Sequence, residues 1–220
     1  MKKVLMFSLF AALCCSSGYL SAQTMMTKQT RFEGQNITGV AAGTAFQVEI
    51  YQSDKTSATV ELPAKWAEKL NFTIDNNGVV TIKLEGLKLN LKKEDELKAT
   101  VYLKSPYSLK ASSAASITAK TPIKTVTLNI DASSSGQVII PDLTATNRVV
   151  INGSSSGDIE AKVNAPLLRC DASSSAKAEL THTGTEAALN ASSAGKIDLS
   201  GTVDKVTASA SSAGKVNGEE

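Results

Sequence analysis

A short motif of small residues recurs six times between Ala111 and Gly214, and it constrains the fold more than any other feature of the chain. Every copy has serine at its second and third positions. The copies are Ala111–Ala115, Ala132–Gly136, Gly153–Gly157, Ala172–Ala176, Ala191–Gly195 and Ala210–Gly214, and their starts are 21, 21, 19, 19 and 19 residues apart. A fixed period of this length is typical of stacked repeats, in which each unit packs only on its neighbours.

Apolar residues flank every copy at alternate positions, whereas a flexible serine-rich linker would show no such order. The columns before the motif are Tyr107, Leu128, Val149, Leu168, Ala187 and Val206, then Leu109, Ile130, Ile151, Cys170, Leu189 and Ala208. The columns after it are Ile117, Val138, Ile159, Ala178, Ile197 and Val216, then Ala119, Ile140, Ala161, Leu180, Leu199 and Gly218. This alternation predicts two strands per repeat, joined by a serine-rich corner. We therefore expect an all-β fold, a single-stranded parallel β-helix (solenoid) with coils of 19 to 21 residues.

The corner chemistry leads to two expectations. The repeated serine columns are placed to pass hydrogen bonds from coil to coil. The fifth motif position is Gly in four copies but Ala115 and Ala176 in the others. Because alanine is strained in a left-handed backbone, we expect that position to be limited by size and to have a negative φ angle.

Residues 23–105 keep the alternating pattern, as in Leu87–Leu91, but lose the strict repeat. They predict an irregular N-terminal β cap or wider coils, and residues 106–220 predict the repeat coils of the same domain. Asp75–Gly78 is typical of a hairpin turn. Pro63–Lys69 is the only segment with helical character, and we expect its Trp66 to pack on the core, the alternative being a sugar contact.

The first 22 residues predict a signal peptide. Lys2 and Lys3 precede an apolar run, Val4–Leu13, and Ala22 is a small residue suited to cleavage. The run is shorter than the roughly 20 residues that span a bilayer, so no stable membrane span is expected. Export favours the periplasm, the outer membrane surface or the extracellular space.

Cleavage after residue 22 would change the charge and the cysteine content. The loss of Lys2 and Lys3 takes the formal charge from +2 to 0, which gives no general attraction for nucleic acid. Cys14 and Cys15 would also leave, unless one of them is lipidated; neither follows the small residue that a lipobox requires. Cys170 would remain as buried filler, without an internal disulfide.

No catalytic constellation emerges, and we expect no enzymatic activity and no cofactor. Gly153–Gly157 matches the Gly-x-Ser-x-Gly pattern of serine hydrolases, but that pattern requires a following helix and a histidine partner. Here it is one of six corner motifs. The only histidine, His182, is expected in an exposed turn and has no partner residues for a zinc site.

Two polar columns flank the corner. The first is Lys110, Asp131, Asn152, Asp171, Asn190 and Ser209, and the second is Ser116, Gln137, Asp158, Lys177, Lys196 and Lys215. The Asp/Asn column predicts a hydrogen-bonded ladder. A Ca²⁺ row is the alternative, but this ion needs six to eight oxygens, and Asp131 and Asp171 would lie roughly 10 Å apart. The three lysines that end the second column, Lys177, Lys196 and Lys215, form a lysine stripe. This stripe indicates a solubilising face, with attraction of an acidic glycan as the alternative.

The segment from Arg31 to Val48, the strand from Leu97 to Pro106 and the serine corners resemble the head GIN domain family. Its members are described as auto-transporter adhesins of bacterial envelopes, and the resemblance covers nearly all of residues 30–218. It implies an exported β-helix and brings no defined catalytic or binding residues.

Three functions remain open at this point. The favoured hypothesis is a non-enzymatic envelope protein that acts in adhesion or surface contact, with a glycan or a surface protein as its partner. The second is a polysaccharide-active β-helix enzyme, for which the outward columns offer Asp131, Asp158, Glu160 and Asp171. The third is a structural or assembly protein, and a homo-oligomer is compatible with each.

Overall fold

The computed structural model describes residues 25–86, 90–92 and 95–218. The predicted signal peptide, with Cys14 and Cys15, and the residues Leu87 and Leu89 lie outside this range. The strands are β1 (Met26–Arg31), β2 (Gly39–Ala42), β3 (Gln47–Gln52), β4 (Ser57–Pro63), β5 (Leu70–Ile74), β6 (Val79–Leu84), β7 (Lys98–Leu103), β8 (Ser108–Ala111), β9 (Ser116–Ala119), β10 (Ile123–Ala132), β11 (Gln137–Gly153), β12 (Asp158–Asn164), β13 (Leu167–Ala172), β14 (Lys177–Ala191), β15 (Lys196–Ala210) and β16 (Lys215–Gly218). A 3₁₀ helix, Ala64–Lys69, follows β4.

The strands form two faces that meet at the serine corners. The post-corner sheet has the order β1-β4-β7-β3-β9-β11-β12-β14-β15-β16, and the pre-corner sheet has the order β5-β6-β2-β8-β10-β11-β13-β14-β15. The long strands β11, β14 and β15 belong to both sheets because they bend from one face into the other. Repeat positions pair in parallel and in register, as in Ile130 with Ile151, Ile151 with Cys170 and Cys170 with Leu189. The predicted parallel β-solenoid is thus confirmed, with about 6 turns.

The inward columns predicted from the alternation form the core. Leu128, Ile130 and Val149 are completely buried, as are their equivalents in most coils. Two members of the column four residues before the corner depart from the prediction: Tyr107 is 55% exposed and Val206 is 49% exposed. Tyr107 directly precedes the first residue of β8, where the chain has not yet entered the strand, and no further coil covers Val206 in the described range.

Each corner is a four-residue turn with two left-handed residues. In the third copy of the motif, the amide of Gly157 donates to the carbonyl of Ser154 at 2.8 Å. The central residues Ser155 and Ser156 have φ angles of 48° and 61°. Two positive φ angles inside such a turn are the pattern of type I′. All six copies share it, at their third and fourth positions.

Neighbouring coils connect the corners through the backbone. The amide at the fourth motif position donates to the third-position carbonyl of the next coil, for example from Ser135 to Ser155 at 3.1 Å. Hydroxyl contacts are sparse by comparison: Ser112 and Ser173 reach the preceding coil only at 3.5 Å. The expected hydrogen bonds therefore run up the corner, but main-chain groups carry them, because the serine side chains at the third position face solvent.

The fifth motif position has a negative φ angle in every copy, including Ala115 and Ala176, as predicted. Its restriction is one of space. A Cβ atom on Gly157 would lie 2.2 Å from the carbonyl oxygen of Ala132 in the preceding coil. The alanine at Ala176 faces Gly153, the first motif position of the preceding coil. Gly153 leaves room for it, because a Cβ atom on Gly153 would approach the Ala176 Cβ to 3.0 Å.

A seventh corner lies in the N-terminal region, between β2 and β3. Thr44 and Ala45 have φ angles of 55° and 57°, and the Ala45 amide donates to the Ser113 carbonyl at 2.9 Å. β2 pairs with β8 and β3 pairs with β9, so the first coil of the solenoid lies within residues 23–105. This corner does not match the repeated motif, because it has Gly43-Thr44 in place of the serine pair and Phe46 at the fifth position.

Antiparallel strands complete the N-terminal end. β1 and β4 extend the post-corner sheet beyond β7, and the β5–β6 hairpin extends the pre-corner sheet beyond β2. The hairpin turns at Asp75–Gly78, as predicted, with a φ angle of 81° at Gly78. The predicted helical segment is the 3₁₀ helix. Its Trp66 is 8% exposed and lies against Lys65 and Lys69, which agrees with packing and leaves little ring surface for a sugar.

We expect Gly157→Ala to destabilise the protein by about 1–3 kcal/mol, because the new Cβ would overpack the Ala132 carbonyl. Urea unfolding followed by circular dichroism measures the change. Gly218→Ala is the matched control, since nothing lies within 4 Å of its added Cβ, and it should stay within about 0.5 kcal/mol of the parent. Equal stabilities for the two variants would contradict the steric explanation.

Candidate contact surface

The outward side of the post-corner sheet is a continuous exposed face. Ten strands at a spacing of about 4.8 Å give it a length of about 45 Å. On it, the predicted lysine stripe lies in register: Lys177 pairs with Lys196, and Lys196 with Lys215. Lysines stacked in this way repel one another.

An acidic column beside the lysines, which the sequence analysis did not recognise as a column, compensates this charge. Lys196 Nζ lies 2.5 Å from Asp198 Oδ2, and Lys177 forms the equivalent ion pair with Glu179. The hydrogen bond from Lys196, followed by that from the Asn217 amide, lowers the pKa of Asp198. Because the partners are largely solvated, each pair contributes little to stability. The signal was present in the sequence, since each acid stands two residues after its lysine.

A shallow depression of about 620 Å³ lies on this face. Its lining mixes carboxylates, hydroxyls and aliphatic side chains, and it includes Ile139, Glu160, Glu179, Thr181, Asp198 and Asn217. The depression follows the strands β11 to β16, so its lining comes from successive coils. Such a surface presents rows of polar groups at strand spacing and suits an extended partner.

The Asp/Asn column on the opposite side of the corner forms hydrogen-bonded pairs. Asn152 Nδ2 donates to Asp131 Oδ1 at 2.8 Å, and Lys110 approaches the other oxygen at 3.4 Å. Asp171 is held in the same way: Asn190 donates to Oδ1 at 3.3 Å and Arg169 donates to Oδ2 at 2.8 Å. Both carboxylates are thus engaged by protein donors, which favours the ladder over the calcium row.

Gly153–Gly157 is a corner between two strands, β11 and β12, without the strand-to-helix turn of a hydrolase. Within the described range, no cluster of three or more His, Cys, Asp or Glu side chains is arranged to bind a metal ion. In the same range, no helix is long and apolar enough to cross a membrane.

The prediction of an exposed turn at His182 is wrong. His182 lies in β14, is completely buried and pairs in register with Val163 and Gly201. Its Nδ1 lies 3.3 Å from the Val163 carbonyl oxygen, while Nε2 has no hydrogen-bond partner. Inward residues Ile123, Leu143 and Val163 occupy the same column in earlier coils. Alignment of that third column would have placed the histidine inside, despite its polar neighbours in the sequence.

We expect stability to fall in mild acid because of His182. Burial lowers the pKa of its imidazole below the ordinary value of 6.5, so the unfolded chain binds a proton that the native state resists. The stability contribution is complete above pH 6.5 and is lost as the pH falls towards the lower native pKa. Urea unfolding of the parent and of His182→Leu between pH 7.5 and 5 checks this, with a slope difference of at most about 1.4 kcal/mol per pH unit. If the free energies of unfolding of the two proteins changed with pH in parallel, the role of His182 would be contradicted.

Cys170 occupies an inward column and is completely buried, as predicted. Burial raises the pKa of its thiol to about 12. Because only the thiolate reacts readily, we expect Cys170 to resist alkylation at pH 8 in the native protein and to react in denaturant. Peptide mass spectrometry measures the modified fraction at this residue alone, and rapid native labelling would contradict the assignment as inert core.

Two tyrosines far apart in the sequence meet on the outward face of the post-corner sheet. Tyr51 of β3 is the register partner of Tyr102 of β7. Their rings stack with centroids 5.1 Å apart and an interplanar angle of 23°. Both strands lie outside the serine-corner repeat, so the alignment of the repeat does not bring these two tyrosines together.

Fold and surface together define a parallel β-solenoid with antiparallel strands at its N-terminal end and long exposed polar faces. The chain belongs to the family described as "putative auto-transporter adhesin, head GIN domain", whose model matches residues 36–179 and 142–220. The resemblance noted in the sequence is confirmed. No curated protein gives a match.

Solved structures share this fold. A putative adhesin from Bacteroides fragilis NCTC 9343 superposes with a TM-score of 0.69 at 14% identity, over 90% of this chain and 98% of that one. A putative adhesin from Parabacteroides merdae ATCC 43184 gives 0.52 at 15% identity, and a putative lipid binding protein from Parabacteroides distasonis ATCC 8503 gives 0.53 at 16%, both with the same coverage. At these identities the likeness shows the fold alone.

Proposed function

We propose that this protein is an exported, non-catalytic adhesin of the bacterial envelope, which makes surface contact through the outward face of its post-corner sheet. The observation that carries the proposal is the continuity of that face, ten strands in order with paired charges at strand spacing. The family description supports both adhesion and a location at the cell surface.

The charge arrangement of the face supports contact over catalysis. Polysaccharide hydrolysis requires a general acid whose pKa is raised. On this face, the hydrogen bond from Lys196 lowers the pKa of Asp198, which is the opposite direction. Carboxylates held by lysines are suited to binding through charge and hydrogen bonds.

We expect beads coated with the purified protein to adhere to epithelial monolayers, mucin layers or bacterial cells more strongly than albumin-coated beads. Glu179→Lys/Asp198→Lys should weaken retention under flow about tenfold, because it breaks the ion pairs of Lys177 and Lys196. The matched control, Asp142→Lys/Asp204→Lys, makes the same charge change at exposed positions that no described ion pair involves.

Two results would contradict the proposal. Retention equal to that of albumin on all three surfaces would remove the adhesin role, and equal retention of the two double variants would remove the post-corner face from it. Release of reducing ends from the glycans of these three surfaces would instead support the enzyme alternative.

A further inference from the structure

The geometry points to a neutral-glycan site on the post-corner sheet, with Tyr102 as the platform and the adjoining polar groove as the source of hydrogen bonds. This site would give the proposed contact role a ligand class. Its biological purpose rests on that proposed function, whereas sugar binding itself can be tested without it.

The exposed aromatic surface comes from the arrangement of three strands. Tyr51 covers one face of the Tyr102 ring. On the opposite side, the register partner of Tyr102 is Ser57 of β4. Its short side chain leaves the second ring face open, and Tyr102 is 38% exposed. The C–H face of a pyranose is apolar and packs on such a ring, while its hydroxyl groups remain at the rim.

The platform is held in place by bonded neighbours. Tyr51 Oη donates to Glu49 Oε2 at 3.1 Å, and Lys120 lies 3.2 Å from the other oxygen of this carboxylate. The side-chain amide of Gln52 donates through Nε2 to the carbonyl oxygens of Lys104 and Lys124, both at 2.7 Å. These two bonds connect the ends of three neighbouring coils. The rings therefore need little ordering when a ligand binds, which lowers the entropic cost of binding.

A groove of about 290 Å³ lies along the same strands, and its lining includes Glu49, the hydrogen-bond acceptor of Tyr51, and Thr100, two residues before Tyr102. Thr59 and Thr100 are register partners, as are Glu49 and Thr100, and all three line it. Its hydroxyl, amide and carboxylate groups both donate and accept hydrogen bonds, as the alternating hydroxyls of a sugar require.

The charges at the groove favour a neutral sugar over an acidic one. Glu49 and Glu61 contribute carboxylates to the lining, and Lys98 is already bound to Glu96 at 2.6 Å. Glu61 is likewise paired, with Lys28 at 2.7 Å. An anionic ligand would meet two carboxylates and no uncommitted cation among the lining residues, so repulsion disfavours it.

Saturation-transfer NMR with defined hexasaccharides tests the site. We expect cellohexaose, maltohexaose or chitohexaose to bind with a Kd of about 5 mM or tighter, with the strongest transfer to ring C–H protons, and hexagalacturonate to bind about tenfold more weakly. Tyr102→Ala should lose about tenfold in affinity. Ser57→Leu should lose as much, because it covers the open ring face while the tyrosine stack stays intact. Tyr107→Ala, at an exposed tyrosine outside the site, should bind like the parent.

The inference is overturned if none of the three neutral hexasaccharides binds at about 5 mM, if hexagalacturonate binds best, or if Tyr102→Ala and Ser57→Leu bind like Tyr107→Ala. Circular dichroism of each variant separates a lost site from a lost fold. Bead adhesion that persists in a chain unable to bind these sugars would leave the contact role standing without this site. Sugar binding without bead adhesion would leave the glycan site standing without the adhesin role.

Discussion

The structure depends on a backbone conformation that one coil cannot sustain alone. A left-handed L-residue costs roughly 1–2 kcal/mol, and each corner places two of them in sequence, such as Ser155 and Ser156. Hydrogen bonds to the neighbouring corners offset this conformational cost. The Ser156 amide donates to the Ser174 carbonyl, and the Ser155 carbonyl accepts from the Ser135 amide. Because a net backbone hydrogen bond contributes only about 1 kcal/mol, several bonds from adjacent coils are needed for each turn. Stability is thus a property of the stack.

The same constraint determines the surface. Corners locked in register bring every outward position above its equivalent in the next coil, so a repeated lysine becomes a row of like charges. This chain answers with an acid two residues away, as in Lys196 and Asp198. On the other side of the corner, an amide alternates with a carboxylate, as in Asn152 and Asp131. Both arrangements follow from the register.

The repeat allowed the solenoid, the inward columns and the burial of Cys170 to be predicted, because a period in the sequence becomes a spatial column when coils stack. Features that depend on a single coil were not accessible in this way. His182 was misplaced because its neighbours are polar, although its column in other coils is aliphatic. The first corner was not predicted because its left-handed positions are Thr44 and Ala45, in a segment that lacks the serine pair of the repeated motif.

The tyrosine platform shows where specificity can arise on such a molecule. In the repeat coils, an outward residue is constrained by its equivalents above and below, because each column must balance its own charge and hydrogen bonds. Beside β4 and β7 the pairing is antiparallel, so the column rule ends and Ser57 can face Tyr102. A small residue opposite a ring is poor cross-strand packing, whereas it is what an open binding face requires. The irregular end of the solenoid is therefore the place where a ligand can be recognised without disturbing the stack.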